Sequence, residues 1–264
     1  AIYEGKEPGP TVLFRCDLDA LPIDEVNTFE YRSRHKGIAH KCGHDGHMTI
    51  VTGLSEAISA NPPEKGRVVL LYQPSEENGQ GARQVLQDEK FQSVEPDHVF
   101  ALHNLPGYPA GSVILRKETF AAASKGMINR LHGKTSHAGE PENGLSPAVA
   151  MADIIKDLTI LPGNQSFEDY TLITVIHSRL GEIAFGTTPG YAEVMATLRT
   201  YSNNDMEVLA SQAINIVNKH AQSNQLHAET SWTEEFPATV NDEESVDVIE
   251  QVSREYRAEI IYRK

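Results

Sequence analysis

Cysteine, positive charge and long apolar runs are all scarce in this 264-residue sequence. Two cysteines occur, at 16 and 42, too few for a disulfide framework. Cys16 sits inside the apolar run Val12-Leu13-Phe14-Arg15-Cys16 and reads as a buried core thiol. Cys42 sits among histidines. A bridge between them is not expected. Lys and Arg number 23 against 37 Asp and Glu, a net charge of -14. A chain this acidic repels phosphate backbones and anionic membrane surfaces, so neither nucleic acid nor membrane is expected as a partner. No apolar stretch approaches the roughly 20 residues that a membrane helix needs. No charged-then-apolar signal segment opens the chain, which makes a cytoplasmic protein the expectation. Also missing are a Gly-x-Ser-x-Gly elbow, a phosphate loop, a dinucleotide fingerprint, paired Cys-x-x-Cys and His-Glu-x-x-His.

What is present has a clear order. Residues 11–16 form a short apolar run ended by Pro22, read as a buried strand. Residues 46–60 carry Met48, Val51, Leu54, Ala57 and Ile58 at helical spacing, and Asn61-Pro62-Pro63 stops that helix. Val68 to Tyr72 and Val99 to Leu102 are further apolar strands, with a short helix starting at Gly81. Strands alternating with helices predict an α/β unit with a mostly parallel, helix-covered sheet. Functional residues of such sheets gather beyond the carboxyl ends of the strands. After about residue 117 the pattern changes to strand 119–131, helix 145–160, strands 171–178 and 191–199, helix 204–221 and strand 226–233. That β-α-β-β-α-β order is the ferredoxin-like α+β arrangement, expected as a small inserted domain. The expected division is 1–117, then 118–234, then a return to the first domain over 235–264 with a helix near 242–257. The chain opens on Ala1 rather than Met, and Glu259 to Lys264 look like a strand in progress. A fragment or processed product is expected at both ends.

The chemistry concentrates in His40-Lys41-Cys42-Gly43-His44-Asp45-Gly46-His47. Alternate residues of an extended loop, Cys42 and His44, can point at one centre, and Gly43 removes the side chain that would crowd it. A soft thiolate, imidazoles and carboxylates gathered at strand ends describe a zinc- or manganese-class site. Glu76-Glu77 follows one apolar strand: one carboxylate can bind a metal while the other faces water, or the pair is a solvated acidic turn. His103 follows another strand; alone it reads as a rim residue, and with the other elements as a ligand. Asp17 and Asp19 either cap the strand or orient the ligands from behind. His137 reads on its own as a loop histidine without a role. Histidines 35, 98, 132, 177, 220 and 227 lack clustering and read as structural or exposed.

Together, Phe14-Arg15-Cys16-Asp17-Leu18-Asp19-Ala20-Leu21-Pro22-Ile23, the His40–His47 block, Gln73-Pro74-Ser75-Glu76-Glu77, Ala101-Leu102-His103 and Gly133-Lys134-Thr135-Ser136-His137-Ala138 resemble one known family. It is the aminoacylase, hippurate hydrolase and auxin-conjugate (indoleacetyl-amino acid) hydrolase family of dinuclear metallopeptidases. The resemblance implies a zinc-peptidase-like catalytic domain with two divalent metal ions, zinc, manganese or cobalt, and an inserted lid that also forms a homodimer. It implies Cys42, His44, Glu77 and His103 as metal ligands and Glu76 as general base. It also implies that His137 reaches the partner subunit's active site and steadies the oxyanion. The expected activity is cleavage of the amide bond of N-acyl amino acids or similar small conjugates. Two other readings share these residues: a catalytically silent metal-binding or dimeric relative, and a dipeptidase or carboxypeptidase. Relatives take a further histidine ligand from a C-terminal stretch, and often have an asparagine where this chain has Gly186; neither has a counterpart in these 264 residues.

Overall fold

The computed structural model describes residues 1–164 and 166–263. The chain divides into two compact units, Ala1–Ser112 and the portion from Val113 onward.

The first unit contains β1 (Ile2–Glu4), β2 (Glu7–Asp17), α1 (His44–Ala60), β3 (Lys65–Gln73), α2 (Gly81–Gln87), α3 (Glu89–Gln92) and β4 (His98–Ala101). Its sheet has the order β1-β3-β2-β4. β2 runs parallel to both β3 and β4, and only the edge strand β1 is antiparallel. Asp17 pairs in register with Gln73, and Arg15 with Ala101. The segments leaving β2, β3 and β4 therefore emerge on one rim.

Helix α1 explains how that rim acquires its chemistry. Gly43 adopts φ 93 before the first turn, a left-handed conformation that disfavours a side chain. The loop is thus not simply extended, as alternation of Cys42 and His44 suggested. It turns at Gly43 and delivers His44 as the first helical residue. The buried positions of α1 are His44, His47, Val51 and Ile58, which lie on one face at helical spacing. Its C-terminal half packs Val51 and Ile58 with Cys16 and Leu70. Its N-terminal half carries the same stripe onward as two imidazoles.

The second unit contains β5 (Val113–Leu115), β6 (Glu118–Ala121), β7 (Ala123–His132), α4 (Ala148–Ile160), β8 (Thr171–Leu180), β9 (Tyr191–Thr200), α5 (Asn203–Ser223), β10 (His227–Phe236), β11 (Thr239–Asn241), α6 (Glu243–Glu255) and β12 (Ile260–Tyr262). The strand expected over 119–131 is two strands, broken at Ala122. β7 to β10 form an antiparallel sheet of order β10-β7-β9-β8. Alternating β9 residues Ala192, Val194, Ala196 and Leu198 are fully buried, beneath Ala150, Ile154 and Leu158 of α4 and Leu209, Ala213 and Val217 of α5. Ser202 caps α5 by accepting from the Asp205 amide. Within residues 235–264, β11 pairs with β6 and β12 with β5. Lys264, part of the strand expected at that end, lies outside the described residues. Among the described residues no helix is long and apolar enough to cross a membrane.

Candidate metal centre

The rim of the first unit brings together Asp17, Asp19, Cys42, His44, Glu76, Glu77 and His103. His40 and Asp45, from the same sequence block, face solvent instead.

His44 is completely buried. Its Nδ1 lies 2.8 Å from the Asp19 carbonyl oxygen. A carbonyl only accepts, so Nδ1 donates and the neutral ring presents the lone pair of Nε2 to the cluster. Among the described residues Nε2 has no hydrogen-bond partner, and neither does the buried Glu77 Oε1. These two atoms are 3.6 Å apart. Two ligand atoms bonded at ~2.1 Å to one tetrahedral ion stand roughly 3.4 Å apart. Candidate ligand atoms of Cys42, His44 and Glu77 all fall within 4.8 Å of one another. A second group, Asp17, His44, His47 and His103, meets the same limit. Cys42 Sγ lies 3.4 Å from His103 Nε2, while His103 Nδ1 contacts the Asn104 carbonyl at 2.8 Å. Both histidines thus have one nitrogen tied to backbone and the other facing the cluster, the arrangement typical of ligating imidazoles.

Asp19 holds the two glutamates by their backbone. Its Oδ1 accepts from the Glu76 amide at 3.0 Å and its Oδ2 from the Glu77 amide at 3.1 Å. Glu76 Oε2 lies 3.8 Å from His44 Nε2. Burial, then the Glu77 charge, raises the Glu76 carboxyl above its usual range. Burial, then Glu77, pushes the Cys42 thiol up to about 12. Both shifts arise because negative charge accumulates here out of water, and a cation reverses that logic. Asp17 behaves differently. Burial opposes its charge, but the hydrogen bond with His47, together with Arg15 and His44, outweighs burial and lowers it. An orphaned imidazole nitrogen and carboxylate oxygen, with the Cys42 thiol and His103 alongside, fit a divalent cation.

His47 was not among the expected site residues. Its Nδ1 contacts Asp17 Oδ1 at 2.7 Å, and its Nε2 contacts Asn104. The signal was available: His44 and His47, three apart on a helix, share a face. Asn104 carried no such signal. His137 belongs to the second unit, where it bridges to Thr187. The Gly139 amide donates to its Nδ1 at 3.0 Å, so the exposed neutral ring carries its proton on Nε2. His132 and His227, read as unclustered, are cross-strand partners with ring centroids 5.8 Å apart. Sequence separation hid a pairing that only the β7–β10 register creates.

The family model described as peptidase family M20/M25/M40 matches residues 13–263. N-acetyl-L-cysteine deacetylase of Bacillus subtilis (strain 168) is 30% identical over 97% of this chain and 62% of its own length. N-acetyldiaminopimelate deacetylase of Priestia megaterium is 31% identical, over 93% of this chain and 69% of its own. The chain thus spans somewhat under two thirds of the first of these relatives. A solved Bacillus subtilis structure, described as a dinuclear metal-binding peptidase, shares the fold. Its TM-score is 0.80 at 24% identity, covering 100% of this chain and 68% of that one.

Proposed function

The chain belongs to peptidase family M20/M25/M40, and from that premise we propose that it is a metal-dependent amidohydrolase. Its substrates are N-acyl amino acids or similar small conjugates, the class named for the deacetylases it resembles. The observation that carries the reading is the pair of unpartnered buried atoms, His44 Nε2 and Glu77 Oε1. Burying such groups without a partner costs about 1–3 kcal/mol each, more if charged. A bound cation removes that cost.

In this reading Cys42, His44, Glu77 and His103 hold two divalent ions. Such ions polarise a carbonyl and lower the pKa of a nearby water toward ~7. Glu76 takes a proton from the attacking water as its oxygen bonds to the amide carbon. Glu76 then returns that proton to the nitrogen as the carbon–nitrogen bond breaks. Burial has already raised its proton affinity, which moves a carboxylate toward the working range of a general base. Asp19, holding both glutamate amides, keeps this carboxylate from drifting.

His137 serves as a donor to the developing oxyanion through Nε2, a contribution typically worth ~3–4 kcal/mol. Residues 118–234 act as lid and dimerisation domain, inserted between the two parts of the catalytic domain, 1–117 and 235–264. The edge strand β8 offers an unpaired side for a second copy of the sheet. His137 then serves the partner subunit's site.

The test is Glu76→Gln, assayed on a panel of N-acyl amino acids with zinc, manganese or cobalt. Turnover should fall about 10²–10⁴-fold with metal uptake unchanged. Wild-type turnover in this variant would reject Glu76 as base.

A further inference from the structure

The Cys42–His44 loop and His103 come from different parts of the first unit, one from the approach to α1 and the other from the exit of β4. Their donor atoms nonetheless stand 3.4 Å apart. Something must fix that gap, since the two segments belong to no common strand pair.

We infer that Asn104 is a positioning residue, which through His47 sets the distance between His103 and the Cys42–His44 loop. The inference rests on the reading that the cluster holds a divalent cation. Three contacts of Asn104 support it. Its main-chain carbonyl oxygen lies 2.8 Å from His103 Nδ1, which fixes that ring with Nε2 toward Cys42. Its backbone amide donates to His47 Nε2 at 3.1 Å. Its side-chain amide lies 2.7 Å from the same nitrogen, which accepts while Nδ1 donates, so the amide turns its NH2 toward it.

His47 passes the constraint on. It is buried, and its Nδ1 donates to Asp17 Oδ1 at 2.7 Å, because a carboxylate only accepts. Asp17 Oδ2 is in turn 3.6 Å from His44 Nε2. His44 and His47 share one face of α1, so moving either ring moves the other. Gly43 closes the circuit from the opposite side. A Cβ there would lie 2.4 Å from the Asn104 side-chain amide. The bare glycine backbone is what lets the Asn104 amide pack against the loop that carries Cys42. One residue thus touches both halves of the cluster, His103 through its main chain and His47 and the Gly43 turn through its side chain, without being positioned as a ligand itself.

The experiment is a titration of the apo chain with Co²⁺, read by calorimetry and by the thiolate-to-cobalt absorption band. Asn104→Ala should weaken Co²⁺ binding roughly 10–100-fold, the usual effect of losing a partner that orients a ligand. The band should shift or weaken, with thermal unfolding of the apo protein unchanged. Asn104 is exposed, so truncation opens no core, and Asn104→Ser removes the same amide should the alanine variant not fold. An alanine variant with wild-type affinity and an unaltered band overturns the positioning role alone. Absence of Co²⁺ uptake by the wild-type chain overturns the cation reading and this inference with it.

Discussion

In the second unit the interior is apolar almost throughout. One cluster runs from Ala123 in β7 to Ala238, joining the buried face of β9 to α4 and α5. In the first unit the apolar clusters are small, one around Cys16, Val51, Ile58 and Leu70 and one around Leu13, Val69 and Val94. Its most deeply buried residues include Asp17, His44 and His47. The second unit also buries polar groups, but Asn129 bonds to Val194 and Thr230, and Asp205 accepts from two backbone amides. Among the described residues, His44 Nε2 and Glu77 Oε1 of the first unit are left without partners 3.6 Å from each other, whereas in the second unit the unpartnered His132 Nε2 belongs to a half-exposed ring 3.9 Å from Glu229. Buried polar groups normally find a partner. The second unit therefore holds itself together by packing, whereas the rim of the first gathers groups that could hold a metal ion.

The strongest way to break this contrast pairs two substitutions. Glu76→Gln should lose about 10²–10⁴-fold in turnover while its denaturant unfolding midpoint at neutral pH rises slightly. The raised affinity of Glu76 for a proton means that its charge is held against a cost, which glutamine does not carry. Leu158→Ala should do the reverse. Leu158 is completely buried in the α4 contact, and its truncation should cost about 2–5 kcal/mol in guanidinium unfolding with Co²⁺ uptake intact. If both variants lost both properties, the two regions would not be separable in this way.

A smaller effect sharpens the comparison through pH. Asp17 has its carboxyl held below the usual range against burial, by His47, Arg15 and His44. A lowered folded-state value means that its contribution is complete above the unfolded carboxylate value of ~3.9 and is lost as pH falls through the folded one. Apo-protein stability should therefore drop on acidification below about pH 4. Asp17→Asn should flatten that slope, measured as the guanidinium midpoint against pH. An unchanged slope would assign the acid sensitivity to other carboxylates.

Much of the molecule was legible because its local and global patterns agree. The apolar runs became β2, β3 and β4, the spacing of Met48 to Ile58 became α1, and the strand–helix order after residue 117 became the sheet of β7 to β10 with α4 and α5. The short strands β1, β5 and β11 were not legible. Each has three residues, too few for any period to register, and each exists only because a distant partner pairs with it. The break at Ala122 is of the same kind, since Thr119 pairs with Val240 while Ser124 pairs with Phe236. At the candidate site, Cys42, His44, Glu76, Glu77 and His103 could be picked out by residue type at strand ends. Asn104 could not, because its contacts depend on where β4 ends relative to α1. The roles of Asp17 and Asp19 needed coordinates to separate, one meeting imidazoles and the other the two glutamate amides.

The most direct test of the central claim is anomalous scattering at the zinc edge from crystals of the chain grown with Zn²⁺. The account predicts a peak within bonding distance of Cys42 Sγ, His44 Nε2 and Glu77 Oε1. Zinc-loaded crystals with no peak at that position, and His44 Nε2 instead hydrogen-bonded to protein, would contradict it.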